Sequence, residues 1–482
     1  AIESDKKDIL FQLEDAHEAI LEQGVMPSMR GFMIAGKALE EHEAGIYNCA
    51  YAECKDLEFF STLTYELMLG IGFGCSVERR CVQQLPQLPQ SLQQDSTPYV
   101  IDDSKEGWKN SIYHLMNQTH HHGLMPTFDY SLIRPEGTPL KTMGGRASVP
   151  DPLRRDHTII SEILYKAEGR RLEPIECADI VCAIASAIVV GGVRRSSCII
   201  LTDLDDTAMR AYKSNLPDEL RFREMANISA VYDTATPPVH TLMSEWSNLI
   251  QHQTGERGIF NRYAARKKLQ ECGRDNREIG CNPCGETLLR DKSFCNLASV
   301  VIYPEDTVED VEQRLKHAGL LVTVQSLFTD FGDKIHPEWQ ANMEEERVVG
   351  ISLCGIADNP AMRNISEKEL AGLREYAREV TSRVADKLRV TTPKAVTTIK
   401  PEGSVSKICN TSPGIHERLY KKYIGNIRND NTDPLLRFLA DQGVPMKKLA
   451  SDIHGKTWVL QFPMESPEQA VTMEDTTIED RL

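Results

Sequence analysis

Asn282-Pro283-Cys284-Gly285-Glu286, followed by Ser293-Phe294-Cys295-Asn296-Leu297, is the stretch on which the reading of this chain turns. Five residues hold an amide, a thiol and a carboxylate, and a second thiol follows at Cys295. If the first segment is extended, Asn282, Cys284 and Glu286 share one face, because side-chain direction repeats every two residues. Such a face combines redox, proton-transfer and hydrogen-bonding capacity. Cys281 and Cys284 also form a C-x-x-C, a spacing used by zinc sites and thioredoxin-like pairs. Zinc requires a second pair of compatible spacing, and Cys49/Cys54 and Cys75/Cys81 are the available ones. A thioredoxin-like motif belongs near the start of a small domain, whereas this one lies deep in a long chain. Cys177, Cys182, Cys198 and Cys354 lie in apolar runs and read as buried structural thiols. Alone, Glu286 reads as a solvated surface carboxylate.

The composition bounds what surrounds this stretch. The chain has 482 residues, 41% hydrophobic and 26% charged, with a formal net charge of −16. That is a globular composition, long enough for one large α/β domain or two to three smaller ones. The acidity argues against a general nucleic-acid or anionic-membrane surface, though a local donor cluster suffices for a nucleotide. No apolar run of membrane-spanning length is present. Thirteen cysteines, an odd number with no leader-like start, suggest functional thiols in a reducing, cytoplasmic interior rather than a disulfide scaffold.

Working outward, apolar periodicity predicts helices over 8–23, 57–70, from Asp103 through Met116, 239–251 and 308–328. Residues 176–190 are apolar all round and should form a buried helix. Ser366 and Glu369 form a capping box for a helix running to Arg389. Ser197–Thr202 and Ala395–Ile399 read as short strands, and Gln83–Pro98 as a loop. His120-His121-His122 reads as a solvated helix end, since consecutive histidines point apart and lack ligand spacing. Short strands alternating with longer helices predict α/β architecture. The turn Pro401–Ser406 follows a strand with glycine and serines, a composition that suits phosphate but also ordinary loops. Gly191–Ser197 pairs glycine flexibility with the guanidinium groups of Arg194 and Arg195, which suit phosphate or base recognition or a plain solvated loop.

The Asn282–Glu286 pentapeptide with Cys295 resembles the active-site finger loop of ribonucleotide reductase catalytic subunits. Asn48-Cys49 stands where that family keeps the other member of its redox pair. Arg134-Pro135-Glu136-Gly137-Thr138-Pro139-Leu140-Lys141 with Gly144-Gly145 resembles its effector-side segment. Gly191-Gly192-Val193-Arg194-Arg195-Ser196-Ser197 is similar to its loop between effector and substrate, and Lys400-Pro401-Glu402-Gly403-Ser404-Val405-Ser406 to its substrate-phosphate turn. The matches follow the family's order over most of the chain. The resemblance implies a ten-stranded α/β barrel with the finger loop inside it, an N-terminal helical segment over 1–70 and the barrel over 71–482, without the last barrel elements and tail. It implies thiyl-radical reduction of ribonucleotides, with Cys284 as thiyl, Glu286 as general base and Asn282 on substrate hydroxyls. Cys49 and Cys295 would deliver reducing equivalents and end as a disulfide. Gly403, Ser404, Val405, Ser406 and Asn48 would hold substrate, and Arg194, Arg195, Asp103 (or Asp102), Arg134 and Lys141 a deoxynucleotide or ATP effector. The wording of Thr397–Ser406 and of Thr411-Ser412-Pro413-Gly414-Ile415-His416 is similar to the adenosylcobalamin-dependent branch. The other branch takes its radical from a separate metal-containing subunit through adjacent tyrosines, whereas Tyr420 and Tyr423 here are separated by two lysines. No metal ligands are assigned. A thioredoxin-like or dithiol reductant and a homodimer complete the expected partners, and a catalytically silent nucleotide-binding subunit is the alternative from another class.

Overall fold

The computed structural model describes residues 2–135, 138, 150–190, 193–194, 197–253, 255–274, 278–431, 433–449, 457–477 and 479–481. The chain divides into two compact units, one made of residues 49–293 with 332–336, the other of 1–48, 294–331 and 337–482.

In the first unit the strands Cys49–Glu53, Gly72–Ser76, Cys198–Asp203, Ala226–Tyr232 and Gly258–Asn261 lie side by side in that order, all parallel. Parallel neighbours need crossover connections, and helices supply them. Glu58–Met68 crosses from the first strand to the second, and Val239–His252 from the fourth to the fifth. Pro174–Ala187 carries Cys177, Ile180, Val181, Cys182 and Ile184 fully buried, as its all-round apolar sequence requires. Lys105–Asn117 starts where Ser104 accepts from the Gly107 amide at 2.9 Å.

The segment read as a loop over Gln83–Pro98 is partly a strand. Gln93–Val100 pairs in parallel with Leu124–Asp129, and the register slips between Gln94 and Pro98. Proline cannot donate to a ladder, so it sits at the irregularity, and its presence hid the strand. The helix end Gln118–His122 leaves His121 and His122 exposed as expected, but His120 is buried. Its Nδ1 lies 2.8 Å from the Met116 carbonyl, and burial pushes it down to about 4.

In the second unit Ser293–Val301 is the central strand. Val25–Pro27 runs antiparallel on one side and Val349–Cys354 parallel on the other. Val25, Ala298, Val300, Val311, Leu315, Val322, Val349 and Ile351 form its core, with Leu373 and Ala377 from the helix Glu367–Leu388. The Ser366–Glu369 capping box is present, with reciprocal bonds at its start. Ala395–Ile399 forms one bridge, Thr397 to Ile351, rather than a full strand. It still lies along Val349–Cys354, because Val349 and Ile351 donate to Ala395 and Val396. Lys422–Asp430, Thr457–Glu465 and Met446–Lys448 make a separate antiparallel sheet. Among the described residues no helix is long and apolar enough to cross a membrane.

Candidate active site

The decisive stretch folds as a hairpin. Ile279–Cys281 pairs antiparallel with Leu288–Arg290, and residues 282–287 form its tip. Asn282–Glu286 is therefore a turn, and the condition under which its three side chains share a strand face is not met. Pro283 presets the turn, Gly285 donates to the Asn282 carbonyl at 2.9 Å, and Gly285 itself has φ +82°. Asn282 also accepts from the Thr287 amide through Oδ1 at 3.0 Å, so its side chain closes the loop it belongs to. The tip thus presents groups by turn geometry and not by strand alternation.

Two glycines let this hairpin lie against the parallel strands. A Cβ on Gly280 would come within 2.0 Å of the Tyr51 ring, and one on Gly74 within 1.9 Å of the Cys281 carbonyl oxygen. Arg262, 1% exposed, fixes the hairpin's first strand by donating to the Ile279 carbonyl at 2.9 Å. The same guanidinium grips both oxygens of Glu78 at 2.8 and 2.5 Å. Burial alone would raise Glu78, but hydrogen bonds and charge from Arg262, with Arg80, outweigh it and hold the carboxyl at about 2. The far end of the hairpin is tied by Asp291, which accepts from the Glu53 amide at 2.8 Å and pairs with Lys55.

On this support the predicted residues take distinct places. Asn282 is fully buried and its Nδ2 lies 3.3 Å from Cys49 Sγ. Cys284 is exposed at the tip, and a Cβ on the neighbouring Gly285 would meet nothing within 4 Å. Glu286 is half-buried. Burial first, then the charge of Glu286, pushes the Cys281 thiol up to about 12, which places that carboxylate's field on the thiol cluster and keeps Cys281 protonated. The C-x-x-C is thus asymmetric, with one inert buried thiol and one presented thiol. Among the described residues no group of three His, Cys, Asp or Glu could hold a metal ion.

The other predicted residues belong to the second unit. Asn48 donates its amide to the Cys295 carbonyl at 2.9 Å and accepts through Oδ1 from the Leu297 amide at 2.9 Å. It thereby clamps the strand on which Cys295 is buried. Its Oδ1 is thereby committed to the backbone of that strand. In the Pro401–Ser406 turn, Gly403 and Ser404 are exposed, while Val405 packs with Met26, Val301, Cys354 and Cys409. Only the Val405 main chain is available to a ligand. The amides of Gly403, Ser404 and Val405 meet no backbone acceptor among the described residues, whereas Ser406 donates to the Glu402 carbonyl. Sequence reading missed Ser299, Lys400 and Glu402 as a group; Lys400 Nζ lies 2.8 Å from Ser299 Oγ and 3.3 Å from Glu402 Oε2. It missed Arg262 as well, because Glu78 is 184 residues away along the chain.

Of the predicted effector residues, Asp103 and Arg134 meet, Nε of Arg134 lying 2.7 and 2.9 Å from the two carboxylate oxygens. Arg194 lies in the two-residue strand Val193–Arg194, paired with Val189–Val190. Lys141, Arg195, Gly191-Gly192 and Gly144-Gly145 lie outside the described residues.

Residues 219–395 match the family model of the ribonucleotide reductase barrel domain. An adenosylcobalamin-dependent ribonucleoside-triphosphate reductase of Euglena gracilis is 26% identical across 97% of this chain and 65% of its own length. The protein of that name from Levilactobacillus brevis is 26% identical across 84% of this chain and 62% of its own. The chain therefore spans under two thirds of the length of these relatives. A crystal structure of a B12-dependent (class II) ribonucleotide reductase superposes with a TM-score of 0.79 at 21% identity, covering 97% of this chain and 76% of that one. Over residues 219–395 the chain is similar to the ribonucleotide reductase barrel domain, and the relatives it resembles are named adenosylcobalamin-dependent ribonucleoside-triphosphate reductases.

Proposed function

We propose that this chain reduces ribonucleotides to 2′-deoxyribonucleotides by thiyl-radical chemistry, with Cys284 as the thiyl. The observation that carries the reading is the exposed thiol at the tip of a hairpin locked in place by Tyr51, Gly74 and Arg262. A radical sulfur needs access to substrate and a position that does not wander. The names of the relatives favour a ribonucleoside triphosphate as substrate and adenosylcobalamin as cofactor. The open space at Gly285 beside an exposed Cys284 suits a bulky group approaching that thiol. When bound, adenosylcobalamin supplies radical initiation.

The remaining chemistry falls to the chain's own residues. The Cys284 radical takes the hydrogen from the ribose 3′ carbon and gives it back there once the 2′ carbon is reduced, so the radical returns to sulfur. Glu286 accepts the 3′-hydroxyl proton as general base. The 2′-hydroxyl, an unassisted poor leaving group, then departs as water. Cys49 and Cys295 deliver two electrons and two protons and become a disulfide, so one ribonucleotide and two thiols give one deoxyribonucleotide, water and one disulfide. Asn282, bonded to Cys49, orients that thiol. Gly403, Ser404 and the Val405 amide take substrate phosphate. Asp103, Arg134, Lys141, Arg194 and Arg195 serve a nucleotide effector, in a cytoplasmic homodimer re-reduced by a dithiol protein. A single turnover of the cofactor-loaded enzyme without added reductant tests the redox pair. Cys49 and Cys295 should then resist alkylation in peptide mass spectra, in proportion to deoxynucleotide formed. Full alkylation of both after turnover would overturn the assignment.

A further inference from the structure

We infer, extending the homodimer proposed above, that two copies of this chain meet through the outer face of the helix Val239–His252, packed antiparallel about a twofold axis. Val239, Met243, Trp246 and Ile250 are 71%, 60%, 56% and 73% exposed. Their spacing of four, three and four residues places them in one stripe along the helix, the repeat by which helices seam together. The helix docks on its own unit by a different face. Glu245 is its only buried side chain, held by Arg257 Nη2 at 2.7 Å and by Arg210, and Leu242 and Leu249 beside it are half-buried. The four outer side chains therefore do nothing for this attachment, and polar residues would suit water better in their place.

Charge identifies the occupant. The chain carries a net charge of −16, yet Glu245 is the only acidic residue of this helix, which has no lysine or arginine, and it is buried. A basic partner would find no carboxylate on the outer face to pair with, and an anionic membrane surface no lysine or arginine. A second copy, equally acidic, is the partner for which an uncharged meeting face matters, since like charges brought together oppose association. The stripe is also self-complementary. About a twofold axis through its middle, Val239 faces Ile250 of the copy and Met243 faces Trp246 of the copy. Met243 further lines, with Arg210, Ser244, Ser247, Asn248 and Gln251, a shallow depression of about 350 Å³ on the helix flank, room for an indole. Tryptophan is enriched among the anchors of such contacts. The four side chains offer about 500 Å² of apolar surface per copy, hence about 1,000 Å² in the pair, the lower bound of specific interfaces. The dimer is accordingly weak and concentration-dependent, dissociating in the micromolar range.

Sedimentation equilibrium of the full chain from about 1 to about 100 µM tests this. The parent's average mass should rise from one chain towards two. Trp246→Glu and Ile250→Glu should each weaken the dimer at least about tenfold. Both positions are exposed, so the urea midpoints of these variants should stay with the parent's. The register predicts complementation. Met243→Glu and Trp246→Lys chains should each be more monomeric than the parent, yet an equimolar mixture should dimerise more tightly than either alone. In the mixed pair the introduced carboxylate faces the introduced ammonium, and the second contact between Met243 and Trp246 stays as in the parent. A mixture no tighter than its components would overturn the antiparallel pairing. A dimer undiminished by Trp246→Glu would overturn this surface while leaving the homodimer in place. A parent that stays monomeric at every concentration would overturn homodimer and surface together, the stripe then belonging to another polypeptide. None of these outcomes touches the ribonucleotide reading, whose test is deoxynucleotide formation.

Discussion

Cys284 and Asn282 lie two residues apart and meet opposite conditions, one exposed at a turn, the other buried and bonded on both ends of its amide. Their substitutions should separate accordingly. Cys284→Ser should lower deoxynucleotide formation at least about 10³-fold and shift unfolding free energy by less than about 0.5 kcal/mol, as exposed sites do. Asn282→Ala should lose both activity and about 1–3 kcal/mol, because it leaves the buried Thr287 amide without its acceptor. Glu286→Gln keeps shape but removes the base, and should cost about 10²–10⁴ in rate. Chemical denaturation beside turnover assays separates these cases. The candidate trio Asn282, Cys284 and Glu286 could be picked out in sequence because its members are contiguous and chemically distinct. Ser299 and Lys400 were not, being 101 residues apart with no local pattern to join them.

The hairpin Ile279–Arg290 is the element on which the mechanism depends, and its supports come from elsewhere in the chain. Gly280→Ala should cost about 1–3 kcal/mol through overpacking against Tyr51 and reduce turnover by displacing the tip. Arg262→Met removes one of the two guanidinium partners of buried Glu78, leaving Arg80, and should cost about 1.5–3 kcal/mol, measurable by urea denaturation. A hairpin held in another way would tolerate both substitutions. Helices carrying local signals, such as the Ser366–Glu369 box and the apolar Pro174–Ala187 helix, were readable from sequence. The strand Gln93–Val100 was not, since its polar, proline-containing sequence takes shape only through its partner Leu124–Asp129. Whether the finger tip is extended was left open for a related reason: Pro283 and the Asn282–Thr287 bond impose a turn that alternation cannot reveal.

For the whole molecule, alternation of strands and helices conveyed the α/β class, while the barrel came from resemblance, because periodicity does not distinguish a closed sheet from an open one. Acid stability is a property at this scale. Burial pushes His157 from an ordinary 6.5 down to about 3, while Ser111 and Tyr130 bond its two nitrogens. Between those values the unfolded chain binds a proton that the folded chain does not, so stability should fall as pH drops from about 6.5 towards 3. Glu78, held at about 2 against an ordinary 4.5, adds a second loss as pH falls below about 4.5. Urea midpoints of the parent should fall more steeply between pH 7 and 4 than those of His157→Gln, and equal slopes would contradict the His157 assignment. The central claim is tested most directly by deoxynucleotide formation from a ribonucleoside triphosphate with a dithiol reductant, with and without adenosylcobalamin, for the parent chain and Cys284→Ser. The account predicts product only from the parent and only with the cofactor. Equal product from Cys284→Ser would contradict it.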